Sequence, residues 1–179
     1  MTFLSSLQLT ALLALLGAAV FMDLRERRIP NRVTVPGLVA GLVTAAAVEG
    51  GFPLSALAGS SLGLFLGLPF LALGALGGGD AKLLAAVGAF VGPGGLLSVA
   101  LYGALAGGLL AVGSAIRRGT LVSVLLNSGR LFVHLITLGR HGERLGLDNP
   151  HAHTVPYGLA IATGALATWF FPFSLGAAP

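Results

Sequence analysis

Long apolar runs, each close to the length of a membrane-spanning helix, constrain this chain more than any other feature. Residues 3–22 carry no charge, and comparable runs follow along most of the 179-residue sequence. A helix needs about 20 apolar residues to cross the hydrocarbon core of a bilayer. Only 9% of the residues are charged, whereas ordinary soluble domains carry roughly 25%. The sequence therefore predicts an all-α, polytopic integral membrane protein, with residues 1–179 forming a single membrane-embedded domain.

Six of these runs are predicted to span the membrane. The predicted spans are 3–22, 33–48, 54–76, 81–92, 96–116 and 155–172. The run 81–92 would rise only about 18 Å as a helix, so either the turn after it is buried or the span begins within the glycines before it. Gly59, Gly63 and Gly67 recur every four residues in the third span. They share one face of that helix, which is predicted to pack closely on a neighbouring helix.

Residues 121–138 are long enough to cross the membrane, yet their polar residues form a stripe. Those residues recur at spacings of three and four: Ser123, Asn127, Arg130, His134 and Thr137. A helix with one polar stripe and otherwise apolar faces is typical of a segment that lies flat in the membrane interface. The alternative is a further crossing, and the distribution of charge bears on the choice.

The positive charges favour the flat arrangement of 121–138. In that arrangement the loops 23–32, 77–82 and 117–153 share one side of the membrane and hold all ten Lys and Arg, with Glu49 as the charged residue opposite. A crossing helix would move Arg140 and Arg144 to the other side. Because basic loops stay on the cytoplasmic side, we expect six spans, one interfacial helix and cytoplasmic charged loops.

Composition excludes several classes of function. The chain has no cysteine, which excludes disulfides, cysteine-ligated zinc and thiol catalysis. The net charge of +4 does not indicate nucleic-acid binding, because the basic residues lie in short loops between apolar runs. His151 and His153 resemble a metal pair, but no carboxylate or third histidine is arranged with them. No metal and no cofactor are therefore predicted.

Two aspartates border the spans on the predicted cytoplasmic side. Asp23 ends the first span, and Asp80 begins the fourth after Gly77-Gly78-Gly79. Ionisable residues at such positions are functional candidates by default. Packed together, two carboxyls would share one proton, so that one activates water while the other protonates a peptide carbonyl. The residues alone leave open the alternative of two separate interfacial aspartates that balance nearby arginines.

Other residues near the ends of the spans suit roles outside catalysis. Pro30 is predicted to break the helix before the second span, and Asn31 suits the N-cap of the helix that follows. Lys82 is predicted to anchor the fourth span at the interface rather than to take part in catalysis. Candidates for contact with a basic peptide are Glu26, Glu143 and Asp148.

Four motifs in order carry a family resemblance. They are Asp23, then Ile29-Pro30-Asn31, then Gly77-Gly78-Gly79-Asp80-Ala81-Lys82-Leu83, then Val155-Pro156-Tyr157-Gly158. Together they resemble the type IV prepilin peptidases, which are membrane aspartic endopeptidases of the GxGD type. The resemblance extends over nearly the whole chain. One departure is Leu159, which stands where longer relatives often have proline.

The resemblance implies both an activity and a set of site residues. By resemblance, Asp23 and Asp80 are the catalytic pair, and the supporting motif residues are Gly77, Gly79, Lys82, Ile29, Pro30, Asn31, Pro156, Tyr157 and Gly158. The family cleaves the short basic leader of prepilins or pseudopilins at the cytoplasmic face of the bacterial inner membrane. Because this chain lacks cysteine, it looks like the short, peptidase-only form of tight-adherence pilus systems, for which N-methyltransferase activity is not expected.

Two alternatives from other classes stay open from the sequence. One is a non-catalytic membrane scaffold of a pilus or secretion system that retains the fold. Intact aspartates at both motif positions argue against it. The other is an ion or proton carrier with buried carboxylates. Such a carrier would be expected to hold its polar groups deeper in the spans than Asp23 and Asp80 lie.

Overall fold

The computed structural model describes residues 3–72, 76–120, 126, 129 and 157–171 of the chain. These residues form α-helices and contain no strand. The helices are α1 (Phe3–Glu26), α2 (Asn31–Glu49), α3 (Leu54–Ala72), α4 (Gly78–Arg118) and α5 (Tyr157–Phe170). The predicted loop 140–153, Pro156 and nearly all of the predicted interfacial helix 121–138 lie outside the described residues.

Four of the helices, α1 to α4, are long and apolar enough to cross a membrane. The helix α5 is apolar but shorter. Their outer surfaces carry large apolar side chains, such as Phe65 at 71% exposure and Leu109 at 75%, which suit contact with lipid. The prediction of an all-α, multi-pass membrane protein is confirmed, whereas the number of six spans stays a prediction.

The helix α4 is broken near its middle. Gly92 has φ 68 and ψ 179, a conformation that is not helical and that favours glycine, and Pro93 follows it without a backbone N–H. The break separates segment 78–91 from segment 93–118. It lies where the sequence predicted a turn between two spans, and the first segment begins within the glycine run, which is one of the two arrangements anticipated.

The two segments of α4 pack on different helices. A Cβ at Gly67 would lie 2.9 Å from Ala81 Cβ, and Gly59 packs on the backbone of Gly88. Segment 78–91 therefore runs antiparallel to α3. These close approaches, with Gly63 between them, confirm that the three glycines of α3 share one packing face.

Segment 93–118 runs antiparallel to α5. Gly103 lies against Ala160, and Gly164, one turn further along α5, lies against Val99 and Gly103. Because α5 begins beside Asp23, segment 93–118 returns toward the end of the bundle that holds this aspartate. We call this end, which includes Asp23, Ile29, Asp80 and Tyr157, the aspartate end.

Segment 78–91 is the central element of the bundle. From residue 81 to residue 90, every side chain except that of Lys82 is buried. Leu83 and Val87 are fully buried and belong to a core shared with α1, α2 and α5. A helix that is apolar on all sides is buried on all sides. This helix therefore fixes the position of Asp80, which lies in its first turn.

Two details near the aspartate end differ from the sequence predictions. The helix α1 continues past the predicted end of the first span to Glu26, so Asp23 lies within a helix rather than in a loop. The predicted N-cap role of Asn31 is wrong: Pro30 occupies the N-cap position of α2, with φ −75 and ψ 156, and no side chain caps the helix. Asn31 is instead the first residue of α2, which leaves its side chain available to another helix.

Candidate active site

Asp23 joins the end of α1 to the beginning of α5. Its side chain is buried, with 6% exposed, and its Oδ2 accepts a hydrogen bond of 2.8 Å from the backbone N–H of Gly158. The first N–H groups of a helix lack partners within the helix, and a carboxylate satisfies them well. This contact between residues 135 positions apart holds the carboxyl group of Asp23 in a fixed orientation.

Asp80 lies in the first turn of α4, with Gly77 at the N-cap position. Its Oδ2 lies 2.9 Å from where a Cβ at Gly77 would be, so this glycine leaves room for the carboxyl group. Its Oδ1 is buried and has no hydrogen-bond partner within the described part of the chain. Asp80 is close enough to Asp23 for their charges to interact. The structure thus brings the two predicted aspartates together at one end of the bundle.

Ile29 fills the space beside both aspartates. A Cβ at Gly79 would lie 2.6 Å from Ile29 O and 3.0 Å from Ile29 Cβ. A Cβ at Gly158 would lie 3.1 Å from Ile29 Cδ1 and 2.9 Å from Asp23 Oδ2. Ile29 itself is buried, with 6% exposed. A side chain at Gly79 would overlap Ile29, and a side chain at Gly158 would overlap both Ile29 and Asp23. Both motif positions therefore suit glycine.

Lys82 and Asn31 link the beginnings of α4 and α2. Lys82 Nζ donates a hydrogen bond of 2.8 Å to Asn31 Oδ1, and both side chains are exposed. Pro30 precedes this contact, and its carbonyl accepts the N–H of Val33 at 2.9 Å. The contact lies at the aspartate end, which suits a supporting role for both residues and the interfacial position predicted for Lys82.

Tyr157 opens α5 at the border of the site. Its side chain is 38% exposed, and it lies close enough to Asp80 for their charges to interact. The next residue, Gly158, bonds to Asp23, so Tyr157 lies at the end of the bundle that holds both aspartates. Pro156, the preceding motif residue, is outside the described residues.

Charged side chains lie around the site, and Arg27 is close enough to Asp23 for their charges to interact. Arg32 forms an exposed ion pair with Glu26 at 3.7 Å, and Arg25 lies over the ring of Phe21 at 6.0 Å. Arg27 directly follows α1 and has φ 52, a left-handed conformation that is uncommon for a residue other than glycine. Of the acidic residues predicted to meet a basic peptide, Glu26 is exposed at the aspartate end. The others, Glu143 and Asp148, lie outside the described residues.

The described part of the chain offers no metal site. Within the described ranges, no group of three or more His, Cys, Asp or Glu side chains could hold a metal ion. His151 and His153 lie beyond those ranges. The expectation that the chain needs no metal and no cofactor stays a prediction.

Thr34 is a buried polar residue of α2 that the sequence analysis missed. It is 2% exposed, and its Oγ1 has no hydrogen-bond partner among the described residues. The only signal in the sequence is its position just after Ile29-Pro30-Asn31 in an otherwise apolar run. Such a signal is weak, because threonine is common in apolar helices.

Comparison with known protein families gives a match to part of the chain. Residues 10–112 match the model of the type IV leader peptidase family. The matched range includes Asp23, Ile29-Pro30-Asn31 and the glycines with Asp80, but it ends before Tyr157. Searches of curated proteins and of solved structures found no match. Because the matched range is more than half of the chain and includes both Asp23 and Asp80, this protein belongs to the type IV leader peptidase family.

Proposed function

We propose that this protein is a membrane aspartic endopeptidase that removes the short basic leader from type IV prepilins or pseudopilins. The observation that carries the proposal is the meeting of two aspartates from distant helices. Asp23 and Asp80 are brought to one end of an apolar bundle, where their charges interact. Membership of a leader peptidase family is in keeping with this chemistry.

In the proposed mechanism, Asp23 and Asp80 hold one proton between them. Two close carboxylates do not both ionise readily, so one is charged and one is neutral. The charged carboxylate accepts a proton from a water molecule as its oxygen attacks the carbonyl carbon of the scissile peptide. The neutral carboxyl donates its proton to the carbonyl oxygen. The tetrahedral intermediate then collapses, the C–N bond breaks, and a proton passes to the leaving amine.

The contacts of the pair suit this division of roles. The hydrogen bond from Gly158 holds one oxygen of Asp23. The Oδ1 of Asp80, which no described protein atom bonds, is the oxygen that is left for water or substrate. The oxygen held by the protein therefore belongs to Asp23, and the oxygen without a described protein partner belongs to Asp80.

We place the site at the cytoplasmic face of the bacterial inner membrane. The basic residues of the α1–α2 connection and Lys82 lie at the aspartate end, whereas Glu49 lies at the opposite end. Basic residues favour the cytoplasmic side. With the two segments of α4 counted separately, the bundle then has six crossings. Both chain ends of the bundle would face outward from the cell.

The proposed substrate is anchored in the same bilayer as the enzyme. A prepilin carries its leader directly before a hydrophobic helix, so that helix approaches laterally and presents the leader junction at the aspartate end. We expect peptidase activity without N-methylation, in keeping with the short form that serves tight-adherence pili. An experimental structure in which Asp23 and Asp80 are sealed from both lipid and cytoplasm, with no element able to move, would contradict lateral access.

A cleavage assay tests the proposal. The purified protein in liposomes is mixed with a matching prepilin, and loss of the leader is followed by mass spectrometry. We expect cleavage by the wild type and none by Asp23→Asn or Asp80→Asn. The control Glu49→Gln alters an exposed carboxylate at the end of the bundle opposite to the aspartates and should retain activity.

The same variants separate the alternatives. Cleavage retained by either Asn variant would reject the shared-proton mechanism. Pilus assembly in cells that carry Asp23→Asn would instead indicate a non-catalytic scaffold.

A further inference from the structure

Thr34 differs from the other threonines within described helices. A threonine in a helix commonly donates its hydroxyl to the carbonyl four residues earlier. Four threonines do so at 2.7–2.9 Å: Thr10, Thr44, Thr163 and Thr168. Thr34 does not, although it is 2% exposed. The carbonyl in question, that of Pro30, accepts the backbone N–H groups of Val33 and Thr34 instead.

The register of α2 places Thr34 against α4. Gly41 lies on the face of α2 that packs on Ala89 and Phe90 of α4, because a Cβ there would lie 2.8 Å from Ala89 Cβ. Thr34 precedes Gly41 by two helical turns, and residues two turns apart share one face of a helix. Thr34 therefore faces α4, about two turns nearer to the aspartate end.

A second contact gives the level of Thr34 along α4 relative to Asp80. Asn31, one turn before Thr34, bonds to Lys82, which is two residues after Asp80. The helices α2 and 78–91 run in the same direction, so Thr34 lies beside the turn of α4 that directly follows Asp80. One turn of helix rises about 5.4 Å. Two buried oxygens that lack described partners, Thr34 Oγ1 and Asp80 Oδ1, thus lie in the same part of the core.

We propose that Thr34 Oγ1 and Asp80 Oδ1 bind one ordered water molecule and that Thr34 is a positioning residue of the active site. Buried waters occupy polar sites where they bond to otherwise unsatisfied groups. A hydroxyl both donates and accepts, so it bonds to the water whichever protonation state Asp80 adopts. The water fixes the rotation of the Asp80 carboxyl group relative to Asp23. This inference rests on the proposed function of the aspartate pair.

Isosteric substitution of Thr34 tests the inference. Thr34→Val keeps the size and removes the hydroxyl, and Thr34→Ser keeps the hydroxyl. We expect Thr34→Val to lower kcat for leader cleavage about tenfold, as loss of an orienting partner does, with KM unchanged and Tm not lowered. Thr34→Ser should retain most of the wild-type kcat. The matched control is Thr44→Val, which removes a hydroxyl bonded to Ala40 O near the other end of α2 and should leave kcat unchanged.

Three other outcomes of these measurements would overturn the inference. Wild-type kcat in Thr34→Val would show that the hydroxyl has no role in the site. Equal loss of kcat in Thr34→Val and Thr34→Ser would assign the effect to packing, and unfolding of Thr34→Val would assign the hydroxyl to structure. Failure of the proposed function has a different signature, because the wild type would then be inactive or Asp80→Asn would retain cleavage.

Discussion

At the scale of single residues, two adjacent glycines near Asp80 have very different surroundings. A Cβ at Gly79 would lie 2.6 Å from the backbone oxygen of Ile29, whereas a Cβ at Gly78 would meet only the side chain of Leu71, at 3.9 Å. A backbone oxygen cannot turn aside as the end of a side chain can. The space beside Asp80 is therefore closed at one glycine and open at its neighbour.

We predict that Gly79→Ala lowers kcat/KM for leader cleavage on the order of 100-fold, because the added methyl group separates α4 from Ile29 and shifts Asp80. Gly78→Ala is the matched control, since the same chemical change occurs one residue away with no close contact, and it should retain activity. Both variants are compared in the prepilin assay after size-exclusion chromatography shows that they are folded. Equal activity of the two variants would contradict the role assigned to Ile29.

The pairing of Lys82 with Asn31 makes a further prediction about single residues. Lys82→Met and Asn31→Ala should each reduce the cleavage rate modestly. The double variant should cleave no more slowly than the slower of the two single variants, because both substitutions remove the same hydrogen bond. The coupling of an exposed pair is about 0.2–1 kcal/mol. Rates from a double-mutant cycle measure it. Loss of all cleavage in Lys82→Met, with Asn31→Ala active, would instead make Lys82 a catalytic group.

At the scale of elements, the packing of α3 on α4 depends on backbone contact. We predict that Gly63→Ala lowers the free energy of unfolding by about 1–3 kcal/mol, because its Cβ would lie 2.6 Å from Leu84 O. Gly17→Ala is the control: no atom lies within 4 Å of a Cβ at that position of α1. Unfolding of both variants in detergent micelles, followed by circular dichroism, compares them. Equal stability would show that α3 is free to shift away from α4.

The elements also show what the sequence could predict. The break at Gly92-Pro93 and the glycine face of α3 follow from local residue types, and both were predicted. The neighbours of Asn31 and Thr34 were not, because in a run of apolar residues little in the pattern tells which side of a helix faces which partner. The N–H of Gly158 bonds to a residue 135 positions away, and no spacing rule reaches that far.

At the scale of the whole molecule, the proposed orientation in the membrane predicts which positions are accessible from outside the cell, and the composition makes cysteine labelling a suitable test. The chain contains no cysteine, so a single introduced cysteine can be labelled without background from other thiols of the protein. Gly51→Cys, opposite to the aspartate end, should react with an impermeant maleimide added to spheroplasts. Glu26→Cys should react only after permeabilisation, because it lies at the proposed cytoplasmic face. The reverse pattern would move the site to the outer face.

The break at Gly92 bears on which proteins the proposed peptidase could cleave. Segment 78–91 is about 21 Å long as a helix, which is shorter than the ~30 Å hydrocarbon core. In the proposed orientation, Asp80 lies below the water boundary, at a depth that a chain dissolved in the cytosol does not visit. Under the proposed function, only a peptide brought to that depth by its own hydrophobic helix would meet the two aspartates, so the depth of the site would by itself restrict cleavage to membrane-anchored substrates.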